Sequence, residues 1–368
     1  ALTHAAQKGY AEIVELLLSK GADLNAKNKE GSTALTYAAM NGHIEIVKLL
    51  LNKGATINVK DNSGSTALNE AARRGHTQIV KLLLDKGADV NVKITDDENA
   101  IKRATMNGHI ETVRLLLDKG ADVNVKDNAG WTALIWASQK GNIEMVKLLL
   151  DKGADVNAKN KEGNAALTYA ARNGNTEIVK LLLKKGATTD IAYKNARLLN
   201  AAGKSRVSDV QDVLAEGADA NAKDIDGSTA LKYAAEKNSA AIIKLLLEKG
   251  ANINGKDNEG CTALSWASKK GHAETVKLLL DKGADVNIQD NMGWTALMRA
   301  TINGHIETVR LLLDKGANVN ARNAVAETAL THASQKGNTE IVRLLLEKGA
   351  DVNAKDDAGW TALMWGNN

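Results

Sequence analysis

The chain has no proline, no phenylalanine and a single cysteine, Cys261, in 368 residues. Average proline usage of about 5% would place on the order of 18 prolines in a chain this long. One cysteine excludes an internal disulfide framework and fits a reducing compartment. No apolar run approaches the roughly 18 residues needed to span a bilayer, and the opening residues do not read as a signal peptide. Charge of one sign is scarce as well: 48 Lys and Arg against 44 Asp and Glu leave +4, which names no partner. Aromatics are 3% of the chain, yet two tryptophans stand five residues apart in GWTALIWA (Trp131, Trp136), and the pair returns in GWTALMW (Trp360, Trp365).

What is present in abundance is one unit, copied. Gly-Ala follows a leucine-rich run at Gly21, Gly54, Gly87, Gly120, Gly153, Gly186, Gly217, Gly250, Gly283, Gly316 and Gly349. Every interval is 33 residues except Gly186 to Gly217, which is 31. A fixed period in this range marks a stacked repeat architecture. The missing prolines follow from it, because a founder unit without proline hands that lack to every copy.

Within residues 25–57, Asn28 to Gly31 carries turn chemistry, and Thr33 is an N-cap for a short Ala-rich helix in TALTYAA. Asn41-Gly42 stops that helix. Ile46, Val47, Leu50 and Leu51 then share one helical face, and Lys53-Gly54 ends the second helix. Each helix is about two turns long and marginal alone, so the units must stack. The residues Thr33 to Ala39, the N-G-H at 41–43, I-V-K-L-L-L at 46–51 and K-G-A-D-V-N at 86–91 resemble the ankyrin repeat over essentially the whole chain. The resemblance implies an all-α solenoid of helix pairs joined by short β-hairpin loops, with about eleven full units and a partial one. The family's proline after the threonine is alanine here. Its histidine after the leucine is Thr36, Asn69, Lys102 or Ile135. Proline at the first helical position adds about 0.4–1 kcal/mol per site, a loss that alanine as a strong helix former should tolerate.

The 31-residue interval is the clearest boundary. Residues 196–217 keep two-helix spacing but lose the Thr-Ala-Leu signature, with the deletion falling before Ala196 in the stretch expected to form the hairpin, and they resemble the degenerate unit that opens ankyrin arrays. Residues 102–124 and 298–320 match at 20 of 23 positions and lie 196 apart, as if a block of six repeats had been duplicated. The expected division is a first array over 1–189 and a second over 190–368. A continuous solenoid with one shortened finger is the other reading. Asp97 and Ala326 replace hairpin glycines and Asn99 replaces a capping threonine, so both hairpins are expected to be distorted or mobile. Neither terminus carries a polar capping unit, so the expectation is either a fragment of a longer protein or ends that associate with other copies.

No chemistry of catalysis emerges. His43, His76, His109, His272 and His305 occupy the same turn, about 10 Å apart in a stack, whereas zinc needs its nitrogen ligands within about 2.1 Å. They are expected to satisfy local backbone groups. Cys261 has no histidine partner at fixed spacing, and no glycine cluster has the phosphate-cradling pattern. The expectation is no enzyme, no cofactor and no metal.

Function in such an array lies in columns that vary while the framework holds. One column, just before the Thr, contains Ser32, Ser65, Glu98, Trp131, Asn164, Ser228, Cys261, Trp294, Glu327 and Trp360. The other, two after the Leu, contains Tyr37, Glu70, Arg103, Trp136, Tyr169, Tyr233, Trp266, Arg299, His332 and Trp365. Together they hold nine of the eleven aromatic residues, and their tolerance of Glu, Arg and Asn marks them as partly wet. Trp131 with Trp136, and Trp360 with Trp365, have hydrophobic-staple spacing, and Trp294 with Arg299 would be a cation–π version. The residues ending the first helices add a basic row: Arg73, Arg74, Lys140, Arg172, Lys269, Lys270 and Lys336 among ten basic residues against one acid. A second row leads into the hairpins, with Lys27, Lys60, Lys126, Lys223, Lys256 and Arg322 among nine basic residues of ten. The near absence of acids in these rows implies a positive inner groove balanced by an acidic outer face.

In ankyrin repeats these columns map to the concave partner-binding face, so the expected function is a non-enzymatic, cytoplasmic or secreted-effector scaffold for a protein with an acidic or mixed surface. Membranes are not expected as partners. A nucleic-acid or polyanion binder would use the same rows with base stacking, and a structural or artificial consensus-like array would have no natural ligand.

Overall fold

A computed structural model describes residues 1–94 and 99–365. These form 23 helices, and the chain divides into two compact units, Ala1–Thr189 and Asp190–Asn368. In the first unit Leu2–Lys8 packs on Ala34–Met40, and the stack continues through Ala67–Arg74, Ala100–Met106, Ala133–Lys140 and Ala166–Arg172. In the second unit the same stack runs from Ile191–Gly203 through Ala230–Glu236, Ala263–Lys270, Ala296–Ile302 and Ala329–Gln335 to Ala362–Trp365. Each of these first helices but the last is backed by the second helix of its own repeat.

The Thr cap works as expected: Thr33 accepts from the Thr36 N–H at 3.3 Å. Ala38 and Ala39 are fully buried, and their small side chains let successive first helices approach closely. Leu35, Ile46, Val47 and Leu50 fill the space between helix layers, each large one worth about 1.5–3 kcal/mol.

The hairpins are turns rather than strands. Among the described residues only the isolated bridges Lys223–Thr229 and Lys355–Thr361 have ladder pairing. Each turn closes on itself, as where the Asn28 N–H donates to the Ser32 carbonyl at 3.0 Å, and its tip bonds to the neighbouring repeat. The Asn62 N–H donates to the Glu30 carbonyl at 2.9 Å and its side chain to the Lys29 carbonyl at 3.0 Å. Gly31 sits at φ 79, and a Cβ there would lie 2.6 Å from Asn62 Oδ1, so this close approach requires glycine.

Side chains also join repeats. Asn91 accepts from the Asp122 N–H at 3.1 Å and donates to the Gly120 carbonyl at 3.2 Å, a bridge repeated by Asn124, Asn157, Asn221, Asn287 and Asn320. The five turn histidines do more than satisfy local groups. Each places Nε2 3.0–3.1 Å from a carbonyl oxygen of the preceding repeat, such as His76 to Met40. A carbonyl only accepts, so Nε2 carries the proton. The His76 ring fills the space above Gly42, where a Cβ would lie 2.8 Å from Cε1.

Two expectations about irregular segments are corrected. The residues before Ala196 do not form a shortened hairpin. They extend the first helix to thirteen residues, Ile191–Gly203, capped by Asp190 in place of threonine, whose Oδ1 accepts from the Tyr193 N–H at 3.0 Å. Nor is the hairpin at Ala326 distorted: Ala326 adopts φ 59 and donates its N–H to the Asn323 carbonyl at 3.0 Å, keeping the glycine turn at the expense of strain. Asn99 caps its helix, accepting from Lys102 N–H at 2.9 Å. Asp97 and Glu98 lie outside the described residues.

Candidate functional site

Six of the variable side chains are held by a hairpin residue. Nine residues ahead of each of Tyr37, Tyr169, Tyr233, Trp266, Arg299 and Trp365 stands the Asp or Asn that shapes the hairpin. Asp257 Oδ1 accepts from the N–H groups of Glu259 and Cys261 at 3.1 and 2.8 Å, which closes the turn. Its other oxygen accepts from Trp266 Nε1 at 3.2 Å. Asp356 holds Trp365 Nε1 at 2.9 Å in the same way. Asn160 donates to the Tyr169 hydroxyl at 2.8 Å and Asn28 to that of Tyr37 at 3.2 Å. Asp224 accepts from Tyr233 and Asp290 from Arg299. The recurrence of Asx nine residues before these side chains was the available signal.

Both tryptophan staples form. Trp131 and Trp136 ring centroids are 4.4 Å apart and those of Trp360 and Trp365 are 5.0 Å apart. Trp131 also meets Tyr169 of the next repeat at 4.6 Å, leaving Tyr169 buried at 3% exposure rather than wet. The cation–π pairing of Trp294 with Arg299 does not form. Trp294 instead stacks on His332 of the next repeat at 4.6 Å and 15°, because Asp290 draws the guanidinium into an ion pair. Trp266 carries two ammonium groups over its ring, Lys232 at 4.3 Å and Lys269 at 4.8 Å. Trp136 has Lys102 at 5.7 Å, and Arg172 lies 5.2 Å over Tyr169.

The basic rows do not make a uniformly positive groove. Glu70 pairs with both Arg73 at 2.8 Å and Arg103 at 2.7 Å. Lys270 reaches Glu236 at 4.0 Å. The row leading into the hairpins is largely a stacking device: Lys27, Lys126, Lys223 and Lys256 each donate to a backbone carbonyl of the next repeat at 2.8–3.1 Å, as Arg322 does to Lys355. Acids shape the turns beside the aromatics, so the face is mixed in charge. Arg74, Lys140 and Lys336 remain exposed on it, with no ion pair among the described residues.

Burial pushes the Cys261 thiol up to about 11, with Arg299 acting in the opposite sense, so it is neutral at physiological pH and a poor nucleophile. Among the described residues no group of three His, Cys, Asp or Glu is placed to hold a metal, and no helix is long and apolar enough to cross a membrane.

A family model described as ankyrin repeats (3 copies) matches residues 2–94, 101–195 and 198–290, and one described as ankyrin repeats (many copies) matches 300–346 and 330–366. The chain belongs to the ankyrin-repeat family. Ankyrin repeats are in general protein-interaction modules, and proteins built from them are typically non-enzymatic scaffolds. No curated protein matches the chain.

Proposed function

We propose that this chain is a non-enzymatic scaffold that binds a protein of mixed surface charge through the face made by its hairpin turns and first helices. The observation that carries this reading is the tethering of variable aromatic and arginine side chains to hairpin Asx residues, as in Trp266 to Asp257. Trp, Tyr and Arg dominate interface hot spots, and side chains held in place before binding lose less entropy on association. The pairing of Arg73, Arg103 and Arg299 with carboxylates disfavours a polyanion, which would need those charges for phosphate.

A photo-cross-linking residue placed at Lys140 or Lys336, both exposed on this face, should capture the same protein from a lysate of the source cells. Lys81 and Lys277, exposed on second helices, should not capture it. Equal capture from both sets, or capture of nucleic acid alone, would overturn the reading. With the captured protein purified, Trp266→Ala should weaken binding by on the order of 2 kcal/mol through faster dissociation. Lys269→Glu with Lys270→Glu should mainly slow association.

A further inference from the structure

The two units present different hairpin tips. In the first unit the two residues at the described tips are Lys29-Glu30, Asn62-Ser63, Asn128-Ala129 and Lys161-Glu162, with no large apolar side chain. In the second unit the tips expose large apolar side chains: Ile225 at 75%, Met292 at 59% and Val325 at 48%. Met292 and Val325 lie on adjacent tips, joined by the Ala324 N–H donating to the Met292 carbonyl at 2.9 Å. Beside them opens a notch of about 550 Å³, lined by Met292, Trp294 and Ile302 on its apolar side and by Lys269, Arg299, Glu259 and Asp290 among its polar groups. A single exposed apolar residue needs no explanation, whereas neighbouring ones at the rim of a notch mark an interaction site.

Charge selects the occupant. Arg299 is committed to Asp290. Lys269 lines the notch, lies 4.8 Å over the Trp266 ring and has no carboxylate partner among the described residues. Glu259 belongs to the hairpin wall, so the cation stands at the helix end of the notch. We propose that the second unit docks an extended protein segment by seating one apolar side chain against Met292, Trp294 and Ile302, with an adjacent carboxylate of that segment facing Lys269. This rests on the protein-binding reading above and narrows it to one subsite and one partner chemistry.

The probes are three blocked tetrapeptides, Ac-Gly-Leu-Glu-Gly-NH2, Ac-Gly-Leu-Lys-Gly-NH2 and Ac-Gly-Ser-Glu-Gly-NH2, added to the full chain carrying ¹³C-methyl methionine. The Met292 signal, assigned with Met292→Leu, should shift saturably with the Leu-Glu peptide. The Leu-Lys and Ser-Glu peptides should each bind about tenfold or more weakly, a difference of about 1.4 kcal/mol. Lys269→Glu should reverse the preference between Leu-Glu and Leu-Lys. Trp294→Ala should abolish the shift, and Met292→Glu, at an exposed tip that folding does not need, should abolish it as read from the Trp294 indole signal. No shift with any peptide, equal shifts with all three, or an unchanged preference in Lys269→Glu would overturn the proposal. Loss of this subsite with cross-linking at Lys140 and Lys336 intact would leave the broader reading standing, whereas loss of both would remove it.

Discussion

Lys102 Nζ lies 2.6 Å from Asp127 Oδ2, tying a first helix to the hairpin of the next repeat with both side chains nearly out of water. This pair takes the oxygen that in other repeats holds the aromatic nine residues on. Trp136 Nε1 is accordingly buried with no hydrogen-bond partner. In residues 298–320, which match 102–124 at 20 of 23 positions, Met298 stands in the place of Lys102 and is fully buried. Lys102→Met leaves the Asp127 carboxylate without its cation but still accepting from the Ala129 and Trp131 N–H groups and free to accept from Trp136, so it should cost about 1–3 kcal/mol. Asp127→Ala should cost about 3–5 kcal/mol, because it strips the acid from Lys102 and also removes the acceptor of the Ala129 and Trp131 N–H groups. Urea unfolding of both variants checks this, and equal losses would contradict it.

Ala165 occupies the N-cap of Ala166–Arg172 with extended backbone but no side-chain acceptor, and the Thr168 hydroxyl nearby is buried without a partner. Where threonine stands at the cap, as at Thr33, its hydroxyl meets Thr36 at 3.2 Å. Ala165→Thr restores both interactions and should raise stability by about 0.5–2 kcal/mol. A lower melting temperature in this variant would show that the site is too crowded for the hydroxyl.

Ala326 is held at φ 59 where the other described hairpins use glycine. The left-handed conformation costs a residue with a Cβ roughly 1–2 kcal/mol, and glycine returns part of that as unfolded-state entropy. Ala326→Gly should stabilise the chain by about 1 kcal/mol, read as a shift in the denaturant midpoint. Gly31→Ala should have the opposite sign and be larger, because its Cβ would also strike Asn62.

His332 is buried at 2% exposure with neither ring nitrogen hydrogen-bonded. Burial lowers its proton affinity from the ordinary 6.5, Glu327 opposes this, and Lys336 adds to it. The folded state thus prefers the neutral ring, and the unfolded chain takes up the proton first. The stability contribution is fully present above about pH 6.5 and is lost as pH falls below that toward the lowered folded value. Unfolding free energy between pH 7.5 and 5 should slope less in His332→Gln than in the unaltered chain, and identical slopes would refute the assignment.

Helix positions, caps and the buried faces were legible along the chain because each rests on contacts within about four residues. Thr33 capping Thr36, the glycines ending helices and the buried face of Ala34, Leu35, Ala38 and Ala39 are of this kind. The Trp131–Trp136 staple belongs with them, being five residues apart on one turn. The Asp190 cap is just as local, an Asp three residues ahead of Tyr193, but it stands in the 31-residue interval where the repeat period no longer marks a helix start.

What residue order and period determined by themselves is the repeat, its two-helix content and the columns free to vary, since local sterics, capping and apolar spacing suffice for these. Tertiary structure alone decided which charges remain available and where the rings lie. Arg299 could have covered Trp294 at five residues' remove, yet Asp290 at nine residues claimed it and His332 of the next repeat took the indole. Those choices are competitions among groups brought together by stacking, settled by which carboxylate, carbonyl or ring reaches first in a site partly closed to water, where an ion pair outweighs a cation–π contact.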